Sequence, residues 1–170
     1  MKDNIVLIGF MGSGKSSVGI RLAHALGYEF MDTDHYIEST YEKSIKDIFA
    51  TEGEEAFRKI ETDSLKELSK SLHHHVIATG GGMPLREENA ALLRQIGTVI
   101  FLNASKEEIY SRLKEDTTRP LLAGENPMQR IEALLNARLP IYQKAADATV
   151  TTDQRSFYSI IEEIQKSMIK

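Results

Sequence analysis

The run Gly9-Phe10-Met11-Gly12-Ser13-Gly14-Lys15-Ser16 constrains this chain more than any other stretch, because of what stands on either side of it. Ile5-Val6-Leu7-Ile8 precedes it and the amphipathic segment Val18 to Leu26 follows, so the chain passes from strand through tight turn to helix. The spacing fits G-x-x-x-x-G-K-[ST], a phosphate-binding loop, and each position has a physical task. Gly12 and Gly14 lack a Cβ and accept positive φ, which lets successive backbone N–H groups curl around an anion at the positive end of the helix. Lys15 adds a mobile cation for outer phosphates, and the Ser16 hydroxyl suits Mg²⁺. A glycine turn that merely joins strand to helix is the competing reading, and the strand-to-helix context argues against it.

The 170 residues suffice for one domain, or for a core with a small lid, and 41% apolar residues supply a real core. Lys and Arg number 21 against 25 Asp and Glu, scattered without a basic block, which argues against duplex nucleic acid as a partner. The absence of cysteine excludes disulfides, thiolate metal sites and a cysteine nucleophile, and agrees with a reducing compartment. The first apolar run is too short for a membrane span and has no cleavage-site pattern behind it. A soluble, cytoplasmic protein is the expectation.

Beyond the loop, Glu29-Phe30-Met31-Asp32 reads as a second strand ending in Asp32-Thr33-Asp34. If that end is extended, residues i and i+2 put both carboxylates on one side, at the sheet edge where ligands of α/β proteins bind. The alternative is one Asp capping the next helix and the other solvated. Helical patterns cover Ile45 to Ala50 and Glu54 to about Leu72, the latter with Phe57, Ile60, Leu65, Leu68 and Leu72 on one stripe. Arg58 and Glu61 lie three apart there: either a surface ion pair, or a carboxylate that holds a guanidinium for an anionic substrate. His73-His74-His75 reads as a solvated loop, since consecutive side chains do not converge on one ion.

Val76-Ile77-Ala78-Thr79 is the third strand, and Gly80-Gly81-Gly82 follows it. Three glycines in a row imply that something passes close to this backbone, the alternative being a wide turn into the helix Glu87 to Gln95. Thr98 to Leu102 forms a fourth strand, and Ser105 with Glu108 makes a capping box for a helix from Lys106 to about Lys114. The polar connection from Glu115 to Glu125 carries Arg119, either a surface residue or a mobile cation for phosphoryl transfer. Pro127 opens a helix whose apolar face leads to Arg138, just before Leu139-Pro140; Ala148 to Thr151 is the fifth strand, and a closing helix packs Phe157, Ile160, Ile161, Ile164 and Met168. Alternating strands and helices imply a parallel sheet wound by right-handed crossovers, with helices on both faces.

The set Gly12-Ser13-Gly14-Lys15-Ser16, Asp32-Thr33-Asp34, Phe57-Arg58-Lys59-Ile60-Glu61, Gly80-Gly81-Gly82, Arg119-Pro120-Leu121-Leu122 and Arg138-Leu139-Pro140-Ile141-Tyr142, in this order, resembles the shikimate kinase family over nearly the full length. The resemblance implies an α/β, three-layer P-loop kinase of the nucleoside-monophosphate-kinase-like fold, with a five-stranded parallel sheet, helices on both faces and a lid. It implies a single domain with its core at about 1–33, 62–112 and 140–170, a shikimate-binding region at about 34–61 and a lid at about 113–125. The implied reaction is ATP plus shikimate to shikimate 3-phosphate plus ADP, a step towards chorismate and the aromatic amino acids. By that likeness Asp34, Lys15 and Arg119 are catalytic, and Gly12, Ser13, Gly14, Lys15, Ser16, Ser17, Arg112, Arg119 and Arg155 bind ATP. Asp34, Arg58, Glu61, Gly80, Gly81, Gly82 and Arg138 bind shikimate, while Ser16 and Asp32 attend one Mg²⁺ per subunit. A monomer without nucleic-acid or membrane partners is implied too. Two positions depart from the commoner family pattern: Ser17 stands where threonine is more usual, and Tyr41-Glu42-Lys43 replaces a glycine-containing turn. The rival readings are another small-molecule kinase of this fold, acting on gluconate or a nucleoside monophosphate, and a non-catalytic nucleotide-binding module.

Overall fold

A computed structural model describes residues 2–114 and 124–169. Five parallel strands form one sheet: β1 (Ile5–Ile8), β2 (Glu29–Asp32), β3 (His75–Ala78), β4 (Thr98–Asn103) and β5 (Ala148–Thr151), in the order β2-β3-β1-β4-β5. In register, Leu7 of β1 pairs with Ala78 of β3 and Ile100 of β4, while Asp32 pairs with Ala78. The carboxyl ends of β2, β3 and β1 therefore lie side by side, and the loops that leave them share one edge.

The helices are α1 (Lys15–Leu26), α2 (Thr33–Tyr41), α3 (Ile45–Glu52), α4 (Glu54–Leu68), α5 (Glu87–Ile96), α6 (Lys106–Leu113), α7 (Pro127–Ala145) and α8 (Phe157–Met168), with a 3₁₀ turn at Met83–Leu85. Alternation along the strands divides the core. Ile5, Leu7, Ile100 and Leu102 pack with Val18 and Leu22 of α1 and Ile160 and Ile164 of α8 on one face. Val6, Ile8, Val99 and Phe101 pack on the other with Leu65 of α4, Leu93 of α5, Ile109 of α6 and Ile131 of α7. Ile37, Ile48 and Phe57 form a separate small cluster that binds α2, α3 and α4 together.

Several expected boundaries shift. The second strand stops at Asp32, and Thr33 and Asp34 already belong to α2, a helix with no strong apolar period in its sequence. The third strand begins at His75 rather than Val76, and α4 ends at Leu68 rather than near Leu72. The capping box at Ser105 is half made: Ser105 Oγ accepts from the Glu108 amide, but the Ser105 amide donates to Asp153 and Glu108 pairs with Arg112. The helix of Arg138 runs on through Pro140, whose ring removes one backbone donor without ending it.

Candidate active site

The loop after β1 turns as its glycines permit, with φ of +78° at Gly12 and +94° at Gly14, and Gly14 caps α1. Lys15 folds back over the loop and donates to the Gly9 carbonyl at 2.7 Å and the Phe10 carbonyl at 2.9 Å. A lysine held there lies across the floor where an incoming phosphate meets the amides.

At the end of β2, Asp32 takes both of the roles that the sequence left as alternatives. Its Oδ1 accepts from the amides of Asp34 and His35, capping α2 at its positive end, while Oδ2 accepts from the Ser16 hydroxyl at 3.1 Å. The extended geometry expected for Asp32-Thr33-Asp34 is overturned, because the cap folds Thr33 and Asp34 into the first helical turn. That turn nevertheless aims Asp34 into the same space: a cleft of about 200 Å³ is lined by Asp32, Asp34, Lys15, Ser16, Ser17, Gly12, Gly14, Gly80 and Gly81. Thr33, which sequence reasoning passed over, fixes the junction from behind by accepting from the Gly80 amide at 3.1 Å.

The glycine triplet is crowded by the chain's own functional side chains. A Cβ at Gly80 would lie 2.9 Å from Asp34 Oδ1 and 3.4 Å from Glu61 Oε2. One at Gly81 would lie 3.3 Å from the Met11 backbone nitrogen, with Arg138 Nη1 at an ordinary 3.8 Å, and one at Gly82 would lie 2.5 Å from Arg58 Nη2. None of the three has positive φ, so close approach rather than backbone freedom sets these positions apart, with the ends of the Asp34 and Arg58 side chains lying against Gly80 and Gly82.

Arg58 and Glu61 are no surface pair. Arg58 Nη1 meets Glu61 Oε1 at 2.7 Å, and the two side chains are only 16% and 1% exposed. Burial pushes the Glu61 carboxyl up to about 7, although the hydrogen bond and charge of Arg58 pull the other way. Glu61 Oε2 is buried with no hydrogen-bond partner among the described residues. Arg138 approaches the triplet at Gly81 from α7, its guanidinium over the Phe10 ring at 5.4 Å, but it does not line the cleft itself. One turn on, the Tyr142 hydroxyl donates to the Gly81 carbonyl at 2.6 Å and ties α7 to the triplet. Burial raises the Tyr142 phenol, with Arg138 acting against it.

A second hollow opens behind the phosphate loop, lined by Ser13, Gly14, Ser17, Arg112, Thr152 and Arg155. Arg112 donates to the Gly12 carbonyl at 2.9 Å, and Arg155 is held by Thr151, Ser159 and Glu163. Arg119, with Pro120, Leu121 and Leu122, lies outside the described residues, as does most of the expected lid. Of the three consecutive histidines, His73 pairs with Asp3 and His75 with Glu29, and no group of three or more metal-binding side chains occurs among the described residues. No helix among the described residues is long and apolar enough to cross a membrane.

A parallel sheet whose first strand feeds a phosphate loop, with an acidic pair and a lysine at one rim, defines a P-loop kinase. The chain belongs to the shikimate kinase family: the model of that family, described as "Shikimate kinase", matches residues 11–169. The shikimate kinase of Symbiobacterium thermophilum is 44% identical over 167 residues, 97% of this chain and 95% of the relative. That of Thermodesulfovibrio yellowstonii is 45% identical, covering 96% and 93%. A solved shikimate kinase from Acinetobacter baumannii in complex with shikimate superposes with a TM-score of 0.91 at 40% identity, covering 99% of this chain and 94% of that one. A gluconokinase from Sinorhizobium meliloti, at 18% identity and a TM-score of 0.55 over 99% of this chain and 94% of its own, shares the fold alone.

Proposed function

We propose that this chain transfers the γ-phosphoryl group of ATP to the 3-hydroxyl of shikimate, giving shikimate 3-phosphate and ADP. The observation that carries the reading is the shared cleft, in which the phosphate-loop lysine and Asp34 line the same walls as Gly80 and Gly81. In the assigned roles, the loop amides, Ser13, Ser17 and Lys15 hold the phosphates, and Arg112 and Arg155 flank the base. Asp34 accepts a hydrogen bond from the acceptor hydroxyl and takes its proton as the phosphoryl group arrives. Arg58, steadied by Glu61, and Arg138 grip the acceptor carboxylate through planar forks, with the backbone of Gly80 to Gly82 alongside its ring. Arg119 closes over the phosphates from a lid at about 113–125, and residues 34–61 form the acceptor-binding region, which has its own small apolar cluster.

The donor set at Ser16 and Asp32, a hydroxyl and a carboxylate in contact, fits a hard cation such as Mg²⁺. When bound, the ion neutralises charge on the outer phosphates. We place the enzyme in the cytoplasm as a monomer.

Transfer needs little covalent help, so alignment and fixed cations supply most of the rate. The deciding experiment offers shikimate, gluconate and AMP separately to the purified chain with ATP and follows ADP release. Rapid release with shikimate alone is expected. Faster turnover of gluconate or AMP would replace the acceptor assignment, and no turnover with any of the three would leave a nucleotide-binding module.

A further inference from the structure

We infer that Asn89, acting with Thr62, is a positioning residue that sets the spacing between Arg58 and the glycine triplet and so governs the grip on the acceptor carboxylate. The inference rests on the acceptor reading given above. Asn89 lies in α5 at 0% exposure and touches none of the cleft, and Thr62 of α4 is 5% exposed. Asn89 Nδ2 donates to the Met83 carbonyl at 3.0 Å, and Thr62 Oγ1 lies 2.6 Å from Asn89 Oδ1. The carbonyl of Met83 can only accept, which fixes the amide orientation and leaves Oδ1 to take the single Thr62 hydroxyl proton.

Each end of this buried link leads to a side of the acceptor site. On one side, Thr62 follows Glu61 directly, and its Oγ1 lies 3.1 Å from the Arg58 carbonyl, so it stands on the turn that carries the clamp. On the other, the Met83 amide donates to the Gly80 carbonyl at 3.1 Å and the Leu85 amide to the Gly82 carbonyl at 3.2 Å. Met83 is therefore held from in front by the triplet and from behind by Asn89. Between these two sides the guanidinium lies directly against the triplet, since a Cβ at Gly82 would come within 2.5 Å of Arg58 Nη2. A shift of either element relative to the other alters where the guanidinium faces the acceptor, and the two hydrogen bonds of Asn89 resist that shift. Fully satisfied buried polar links of this kind specify one arrangement where apolar packing tolerates several.

Asn89 and Thr62 bond to each other and to Met83 rather than to the phosphate loop, so the test separates the two substrates. Steady-state kinetics are measured with each substrate varied in turn for the wild type, Thr62→Val, Thr62→Ser and Asn89→Leu. Thr62→Val is expected to raise the KM for shikimate about tenfold, as loss of one buried hydrogen bond implies, and Asn89→Leu, which removes two, by at least as much, with kcat and the KM for ATP within about twofold. Thr62→Ser, which keeps the hydroxyl, is expected to stay close to the wild type. Unchanged KM values in the variants, with or without a lower Tm, would overturn the inference by leaving a purely structural link. An equal rise for both substrates, or a Thr62→Ser enzyme as impaired as Thr62→Val, would overturn it too. Should Asn89→Leu not fold, the Thr62 pair decides alone. A wild type that releases no ADP with shikimate brings down the acceptor reading instead, and that arm is scored first.

Discussion

Glu61 is a carboxyl in a place that favours apolar groups, and its protonation state follows from that. It is fully buried, Arg58 is bound to one oxygen, and Asp34 and Arg86 are the other charges that act on it. With its value raised from 4.5 to about 7, the folded protein holds a proton that the unfolded chain has released between those limits. The stability Glu61 contributes at low pH is therefore lost as pH rises from 4.5 through 7. Its positioning of Arg58 runs the opposite way, because only the carboxylate pairs fully with the guanidinium. The KM for shikimate is expected to fall between about pH 6 and about pH 8 in the wild type and to lose that trend in Glu61→Gln, as initial rates at each pH will show. Asp34 makes a different demand, since in the proposed mechanism its task is to take a proton. Asp34→Asn keeps the shape of the first turn of α2 but removes the base, so kcat should fall about 10²-fold or more while ATP binding, followed by calorimetry, stays near the wild type. Loss of both together would mean that Asp34 serves structure instead.

At the scale of elements, what the sequence disclosed and what it hid have physical reasons. Strands β1 and β4 were legible because both faces are covered, which leaves near-continuous apolar runs such as Val99-Ile100-Phe101-Leu102. Helix α2 was not, since in Thr33 to Tyr41 only Thr33 and Ile37 are buried and the rest of the segment shows no stripe. The cap that starts it reuses Asp32, a residue already claimed by Ser16, and one side chain with two partners cannot be read from spacing. The triplet was legible as a close approach, but not what approaches, because Arg58, Glu61 and Arg138 come from helices distant in sequence. The end of α2 shows what a departure from the family pattern costs. Glu42, within the Tyr41-Glu42-Lys43 turn, sits in the left-handed region at φ +52°, so the chain holds this shape with a residue that resists it. Such a conformation costs a non-glycine residue about 1–2 kcal/mol, partly offset by the greater freedom glycine has when unfolded. Glu42→Gly is expected to raise stability by about 1 kcal/mol, read as a Tm higher by roughly 2–4 °C with activity unchanged. A lower Tm would show that the Glu42 side chain contributes more than its backbone strain takes away.

Across the whole molecule, the sheet sets the phosphate loop and the acidic junction, while Arg58 and Arg138, the proposed carboxylate clamp, arrive on α4 and α7 from outside it. In the proposed assignment the nucleotide and acceptor portions thus abut at Asp34, Gly80 and Gly81 but are gripped by different elements. That division has a thermodynamic consequence. A ligand that binds only the folded protein stabilises it by about 2.7 kcal/mol at a hundred times its Kd, which for a domain of this length raises Tm by roughly 5–11 °C. ADP and shikimate should each produce such a shift in a thermal-melt assay. Lys15→Ala should remove most of the ADP shift and keep that of shikimate, since the lysine is bonded to phosphate-loop carbonyls while the proposed acceptor grip is made by guanidiniums on α4 and α7. Arg138→Lys should do the reverse, because an ammonium cannot reproduce the two-pronged contact of a guanidinium with a carboxylate. If either substitution erased both shifts equally, the two portions would be one cooperative site, and the separation of sheet-borne and helix-borne contacts would carry no functional meaning.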